Sequence, residues 1–159
     1  MREQILTFLE KNSRIDLAEL AVMLGSSEEV IAAEVAKMQE EGIICGYHTL
    51  IDWEKTNAEK VTALIEVRVT PQRGQGFDSI AERIYNYPEV QSVYLISGGY
   101  DLMVILEGKT LREVSSFVHS KLSTLDTVIS TATHFILKKY KDYGTILHEK
   151  RKDERMPLT

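Results

Sequence analysis

The sequence predicts an α+β protein in which a helical segment precedes a domain of alternating strands and helices. Over residues 1–42, apolar residues recur every three or four positions, which is the spacing of helices with one buried face. From Val61 onward, several stretches alternate apolar and polar residues, which is the period of a half-buried strand. The chain of 159 residues is long enough for two small domains, and the change of period near residue 60 predicts where they meet.

The first helix is indicated by an apolar stripe of Ile5, Leu6 and Leu9. Asp16 followed by Glu19 has the spacing of a capping box. It predicts the start of a second helix, DLAELAVML, which Gly25 ends. The buried face of this second helix consists of Leu17, Leu20, Ala21 and Leu24.

A third helix is predicted to begin at Ser26 or Ser27 and to end at Gly42. Its inward face consists of Ile31, Val35 and Met38. Two helices joined by a tight Gly-Ser turn, the second of them amphipathic, form a helix-turn-helix. The stretch IICGYHTLI, residues 43–51, then alternates like a strand.

The second domain is predicted to have the order strand, helix, strand, strand, helix, strand, which is the ferredoxin-like arrangement. Its strands are VTALIEVRV, QSVYLIS, DLMVILEG and VISTATHFILKKY. The apolar faces of its helices are Phe77, Ile80, Ala81, Ile84 and Tyr85 in the first, and Leu111, Val114, Val118, Leu122 and Leu125 in the second. The predicted boundaries are a winged helix-turn-helix domain over residues 1–52, a linker over 53–60, the ferredoxin-like domain over 61–148 and a charged tail over 149–159.

The sheet of the second domain is predicted to be apolar on both faces. If Val93, Leu95, Leu102, Val104 and Leu106 face the helices, the opposite face carries Leu64, Tyr94, Ile96, Met103 and Ile105. A contiguous apolar surface of this kind usually marks a partner interface. Face-to-face packing against a second copy is the simplest closed arrangement, and the sequence therefore predicts a dimer.

Composition and motifs exclude several classes of function. No run of eighteen apolar residues and no signal-peptide core is present, so we expect a cytoplasmic protein that does not enter the membrane. The single cysteine, Cys45, is expected to be a small buried residue and cannot form an intrachain disulfide. The histidines His48, His119, His134 and His148 lack metal-ligand spacing, and no phosphate-binding GxxxxGK[ST] motif occurs. We therefore expect no catalytic residue, metal or cofactor.

Four stretches in this order and spacing resemble the Lrp/AsnC family of bacterial and archaeal transcription regulators. They are RIDLAELA, MQEEGIICGY, ISGGYDL and THFILKKYKDYG. The resemblance implies a non-enzymatic regulator that binds operator DNA as a dimer or octamer and senses an amino acid through its C-terminal domain. Siroheme decarboxylases are similar to this family in fold, which leaves an enzyme as an alternative.

The resemblance implies that the third helix contacts DNA, through Ser27, Glu28, Glu29, Val30, Ala33, Glu34 and Lys37. Here the sequence departs from the family, because residues 25–42 contain five glutamates and one lysine. The charge of the whole chain is −5, and residues 1–52 hold four basic side chains against ten acidic ones.

Affinity for duplex DNA comes largely from cations that contact phosphates, and three interpretations of the acidic helix follow. Glu28 and Glu29 could stabilise the first turn through the helix dipole, with Glu34 pairing to Lys37. Glutamate could accept a hydrogen bond from cytosine, with Lys11 and Arg14 contacting phosphates. Otherwise the chain has lost DNA recognition and acts as a sensor that joins relatives with basic helices.

The stretch Gly98-Gly99-Tyr100-Asp101 has two interpretations. It could be only a turn, with glycines adopting positive φ. The resemblance instead places the amino-acid effector here, with Asp101 and backbone groups meeting its charged ends. Leu111, His134 and Phe135 correspond to family pocket positions, and the ligand is expected to lie between dimers.

Overall fold

The computed structural model describes residues 1–71, 73–74 and 76–147. His148 and the predicted tail over 149–159 lie outside the described residues. The chain divides into two compact units, residues 1–49 and residues from Leu50 onward. Within the described ranges, no helix has the length and apolar character that a membrane span requires.

The first unit consists of three helices around one core. They are α1 (Arg2–Lys11), α2 (Leu17–Leu24) and α3 (Glu28–Glu40). Ile5, Leu20, Ile31 and Met38 are completely buried, so each helix contributes its apolar stripe to the same core. The three helices therefore follow the predicted pattern.

The boundaries of α2 and α3 are set by the predicted residues. The Asp16 carboxylate accepts hydrogen bonds from the backbone N–H groups of Ala18 and Glu19, at 2.7 and 3.4 Å. Gly25 ends α2 with a φ of +64°, in the left-handed region where glycine is strongly favoured. The Ser27 hydroxyl accepts a hydrogen bond from the Val30 N–H and begins α3. The tight turn between α2 and α3 is that of a helix-turn-helix.

The strand predicted over residues 43–51 is not formed. This segment is not assigned to a strand, and most of it is exposed. A strand requires a partner for its backbone N–H and C=O groups, and the described residues provide none here. Ile44 packs against the core of the first unit, but the neighbouring Cys45 is exposed rather than buried.

The second unit contains a four-stranded antiparallel sheet and two helices, in the predicted order. After a short 3-10 helix (Trp53–Lys55) come β1 (Val61–Val69), α4 (Asp78–Tyr85), β2 (Val90–Leu95), β3 (Leu102–Gly108), α5 (Leu111–Phe117), a π-helical turn (Val118–Leu122) and β4 (Val128–Phe135). The order of strands across the sheet is β2-β3-β1-β4, so the ferredoxin-like prediction is confirmed. A small hairpin follows, formed by β5 (Lys141–Asp142) and β6 (Thr145–Ile146).

The core of the second unit lies between one face of the sheet and the two helices. Ile65 pairs with Val104, and Val67 pairs with Leu102; all four side chains are buried against residues such as Ile84. The pairing places Leu64, Met103, Ile105 and Tyr94 on the opposite face, which we call the open face. Neither α4 nor α5 covers it.

Three residues assigned to inward faces are exposed instead. They are Tyr85, Leu95 and Leu111. Each stands at the end of its element: Tyr85 is the last residue of α4, Leu95 the last of β2 and Leu111 the first of α5. The apolar period continues to the end of an element, but the opposing element no longer covers that end.

Candidate functional sites

The outward surface of α3 is formed by side chains that alternate with its buried stripe. Ile31, Val35 and Met38 face the core, whereas Glu29, Val30, Ala33 and Lys37 are exposed. A helix with one face buried in a helix-turn-helix presents the opposite face to the major groove. Most of the residues assigned to DNA contact therefore share one accessible surface.

Glu34 differs from this group because it is bound by Arg2. The Arg2 Nε lies 2.6 Å from Glu34 Oε2, and its Nη1 lies 2.7 Å from Glu41 Oε2. The arginine thus joins α1 to both the middle and the end of α3, and Glu34 pairs with it rather than with Lys37. Hydrogen bonds from Arg2 also hold the pKa of Glu41 below its usual range and raise that of the guanidinium.

The two glutamates in the first turn of α3 are exposed and have a local role. The backbone N–H of Glu29 and the Ser27 hydroxyl both lower the pKa of the Glu29 carboxyl. Negative side chains are favourable at this end of a helix because its N–H groups carry partial positive charge. Of the five glutamates, Glu34 and Glu41 are paired with Arg2 and Glu28 and Glu29 occupy the first turn. The central outward surface of Val30, Ala33 and Lys37 is therefore less acidic than the composition of the helix suggests.

The second candidate site is the connection between β2 and β3, residues 96–101. Asp101 fastens it to the end of β1: its Oδ2 accepts a hydrogen bond from the Val69 N–H at 2.9 Å, and its own N–H donates to the Val67 carbonyl. The Ile96 N–H donates to the Asp101 carbonyl at 2.8 Å. Asp101 therefore positions the loop, which leaves its other carboxylate oxygen for a further contact.

The two glycines of this loop are not required by the fold of the chain itself. Neither Gly98 nor Gly99 has a positive φ, so the interpretation as a turn that needs left-handed glycines is wrong. A Cβ at Gly99 would meet no atom within 4 Å, and one at Gly98 would only touch Ile96 at 3.7 Å. Within the described ranges, the N–H groups of Gly98, Gly99 and Tyr100 have no hydrogen-bond partner. The loop thus offers three backbone donors with no side chain on the first two residues.

Within one chain, the other residues predicted to bind the effector do not lie together at this loop. Leu111 follows β3, whose seven residues span about 20 Å at the usual rise per residue, so it lies at the other end of that strand. His134 lies on the open face and contacts Glu66 at 3.3 Å. Phe135 pairs with buried Ala63 and packs against the helix-side core. His134 and Phe135 are neighbours in a strand and therefore point to opposite faces.

Two contacts at these sites join residues that are far apart in the sequence. Arg2 stands 32 residues from Glu34, and only the packing of α1 against α3 brings the two together. The same separation divides Asp101 from Val69. Neither pair leaves a signal in the local pattern.

A helix-turn-helix unit joined to a ferredoxin-like domain is the architecture of a class of two-domain transcriptional regulators. The family described as "Lrp/AsnC ligand binding domain" matches residues 62–146. The chain is 49% identical over 157 residues to the HTH-type transcriptional regulator YugG of Bacillus subtilis, covering 98% of this chain and 95% of that protein. The chain belongs to the Lrp/AsnC family of transcriptional regulators.

Two further relatives extend the comparison. The proline dehydrogenase transcriptional activator of Rhodobacter capsulatus is 30% identical over 135 residues, which cover 85% of this chain and 87% of that protein. A solved structure of a transcriptional regulator in complex with L-Met, from Neisseria meningitidis, superposes with a TM-score of 0.70 at 23% identity, covering 89% of this chain and 90% of that one. At this identity the superposition shows the shared fold.

Proposed function

We propose that this chain binds operator DNA through the outward surface of α3, as a homo-oligomer whose assembly responds to an amino acid. The dimer and a larger octameric ring, the cytoplasmic location and the absence of enzymatic activity belong to this proposal. The observation that carries it is the outward surface of α3, where Arg2 neutralises Glu34 and leaves Val30, Ala33 and Lys37 accessible.

The effector is proposed to lie at the loop of Gly98, Gly99, Tyr100 and Asp101. An amino-acid carboxylate would accept hydrogen bonds from the unpaired N–H groups, and the ammonium would approach Asp101. Because the fold itself does not require the two glycines, close approach of another molecule explains them best. Leu111 and His134 lie away from this loop, so a second copy of the chain would supply them, as expected for a ligand between dimers.

The open face supports self-association. Leu64, Met103 and Ile105 form contiguous apolar surface on three neighbouring positions of β1 and β3, beside Tyr94 of β2. The same face of a second copy would cover this surface, because the interface of a twofold dimer is self-complementary. Packing of two open faces would also bring Tyr94, which is half exposed, out of water.

Fluorescence anisotropy with the protein's own promoter region tests DNA binding, at low and moderate salt and with each of the twenty amino acids. We expect the wild type to prefer this fragment over an unrelated duplex, and Lys37→Gln to weaken that preference. Lys109→Gln, at an exposed position of the second unit, is the matched control. Equal binding to both duplexes would contradict operator recognition. Binding only after mixing with a relative that has a basic α3 would instead support the sensor-partner alternative.

A further inference from the structure

The β5–β6 hairpin near the end of the described chain is held by a two-residue turn. Tyr143 and Gly144 have φ values of +44° and +77°, and Lys141 pairs with Ile146 while Asp142 pairs with Thr145. Two successive left-handed residues form the turn that best fits the twist of a hairpin. The Leu147 N–H donates to the Tyr140 carbonyl at 3.0 Å and extends the pairing. The segment is therefore an ordered hairpin rather than a loop.

The hairpin and the residues that lead into it, 137–147 together, expose large side chains that would ordinarily be covered. Tyr143 is 91% and Leu137 is 90% exposed. Tyr140 and Ile146 are also well exposed. Exposed apolar and aromatic side chains concentrated on one short ordered segment favour a binding surface over a solvated face.

The charge of the same segment specifies the kind of partner. Residues 137–147 contain Lys138, Lys139 and Lys141 against one acidic residue, Asp142. Asp142 pairs with Lys139 at 3.2 Å, and Lys138 lies over the Tyr140 ring at 5.3 Å from its centroid. In the part of the chain that the structure describes, no carboxylate pairs with Lys138 or Lys141. The cations of Lys138 and Lys141 and the exposed hydroxyl of Tyr143 are suited to a polyanion, since lysine and tyrosine side chains commonly contact phosphate oxygens.

The helix-turn-helix unit lacks such cations. Residues 1–49 hold four basic side chains against nine acidic ones, and one of the four, Arg2, is bound by two carboxylates. Binding to duplex DNA depends on neutralising phosphates, so a DNA-binding member of this family with an acidic helix-turn-helix requires cations from elsewhere in the molecule.

We propose that the basic hairpin, residues 137–147, contacts the phosphate backbone of duplex DNA through Lys138 and Lys141, independently of base sequence. This inference rests on the proposed DNA-binding function and adds to it a second contact surface, on the C-terminal domain. The hairpin supplies affinity, and the outward surface of α3 supplies the choice of sequence.

The test is the salt dependence of DNA binding by the full chain carrying Lys138→Gln and Lys141→Gln together. Each phosphate contact contributes about 0.9 to the slope of log K against log salt, so the double variant should lower the slope by about 1.8 for each protomer whose hairpin contacts the DNA. At 0.1 M salt this corresponds to roughly tenfold weaker binding per lost contact. Lys109→Gln with Arg112→Gln is the matched control, because it removes the same charge from exposed positions of the same unit.

The outcomes separate this inference from the proposed function. A lower slope on both the promoter fragment and an unrelated duplex, with the control like wild type, supports the hairpin contact. If the slope falls but the wild type shows no preference for the promoter, operator recognition fails and the hairpin contact stands. A slope for the double variant equal to that of the control overturns the inference. If the double variant also forms a smaller assembly in sedimentation, the hairpin makes a protein contact instead, which overturns the inference too. Absence of any binding by the wild type rejects both.

Discussion

Single residues determine how the candidate effector loop is to be tested. Asp101 has a structural contact, to the Val69 N–H, so its removal would disturb the loop whether or not a ligand binds. Asp101→Asn retains an acceptor oxygen for Val69 and removes only the charge. We expect this variant to melt like the wild type and to lose at least tenfold in amino-acid affinity by calorimetry, since one charge-assisted hydrogen bond contributes about 1.5–3 kcal/mol.

Gly99→Ala is the complementary variant at this loop. Its new methyl group meets no atom of the chain within 4 Å and its φ is not left-handed, so the melting temperature should not change. A ligand seated on the backbone would be obstructed, and its affinity should fall. Unchanged affinity in both variants would show that the loop is structural.

The ion pair of Arg2 with Glu41 predicts that the stability of the helix-turn-helix depends on pH. The folded-state pKa of Glu41 is lowered from 4.5 by Arg2. This contribution is therefore complete above about pH 4.5 and is lost as pH falls through the lowered folded-state value. We expect Arg2→Gln to lower the melting temperature near neutrality, and the difference from wild type to shrink below pH 4.5. A difference that is constant from pH 7 to pH 3 would show that the ion pair is not its source.

The ion pair between Arg2 and Glu34 changes the effect on DNA affinity that charge alone would predict for a substitution at Glu34. Replacing a glutamate on a DNA-facing helix by arginine should strengthen phosphate contact, but Glu34→Arg would place two guanidinium groups together at the α1–α3 contact. We expect lower thermal stability and no gain in DNA affinity. Ala33→Arg, on the exposed surface, is the control that adds charge without opposing Arg2.

At the scale of elements, the helix ends were predictable because their signals are local. Asp16 and Ser27 cap the next helix, and Gly25 ends α2 in a left-handed conformation. Asp16→Ala removes the acceptor for the Ala18 N–H and should cost about 1 kcal/mol of unfolding free energy. Urea denaturation measures this, and Asp16→Asn should retain most of the stability. Equal loss in both variants would point to charge rather than capping.

The strand predicted over residues 43–51 is not formed, although its apolar and polar residues alternate. Alternation describes which side chains could share a face, but a strand also needs a partner to accept its hydrogen bonds. No described segment of the same chain provides that partner. Accordingly, Ile43, Tyr47 and Leu50 are exposed.

At the scale of the whole molecule, the open face predicts the oligomeric state. Met103 pairs with Glu66 on one side and Tyr94 on the other, near the middle of that face. Met103→Glu would place a second carboxylate beside Glu66 in the proposed interface, where like-charge repulsion adds to the cost of burying a charge, and should reduce the dimer to monomers in sedimentation. Val22→Glu, at an 82% exposed position of α2, adds the same charge and should leave the assembly intact.

A dimer that survives Met103→Glu would exclude this face as the interface. Since the proposed effector site needs a second copy, the monomeric variant should also bind amino acids weakly. Retained affinity in the monomer would mean that one chain forms the site alone.

The sequence by itself determined the two pattern regimes, the order of helices and strands, the helix caps and the second apolar face of the sheet. All of these depend on residues close together in the chain, where propensity and period act directly. It also indicated the Lrp/AsnC family through four short stretches, which the comparisons confirm.

The tertiary structure decided which charges and backbone groups are available. Glu34 is paired with Arg2, Asp101 holds Val69, and Gly98 and Gly99 are not needed for a left-handed turn. These facts depend on contacts between residues far apart in sequence, and the pattern of a single segment carries no information about what packs against it.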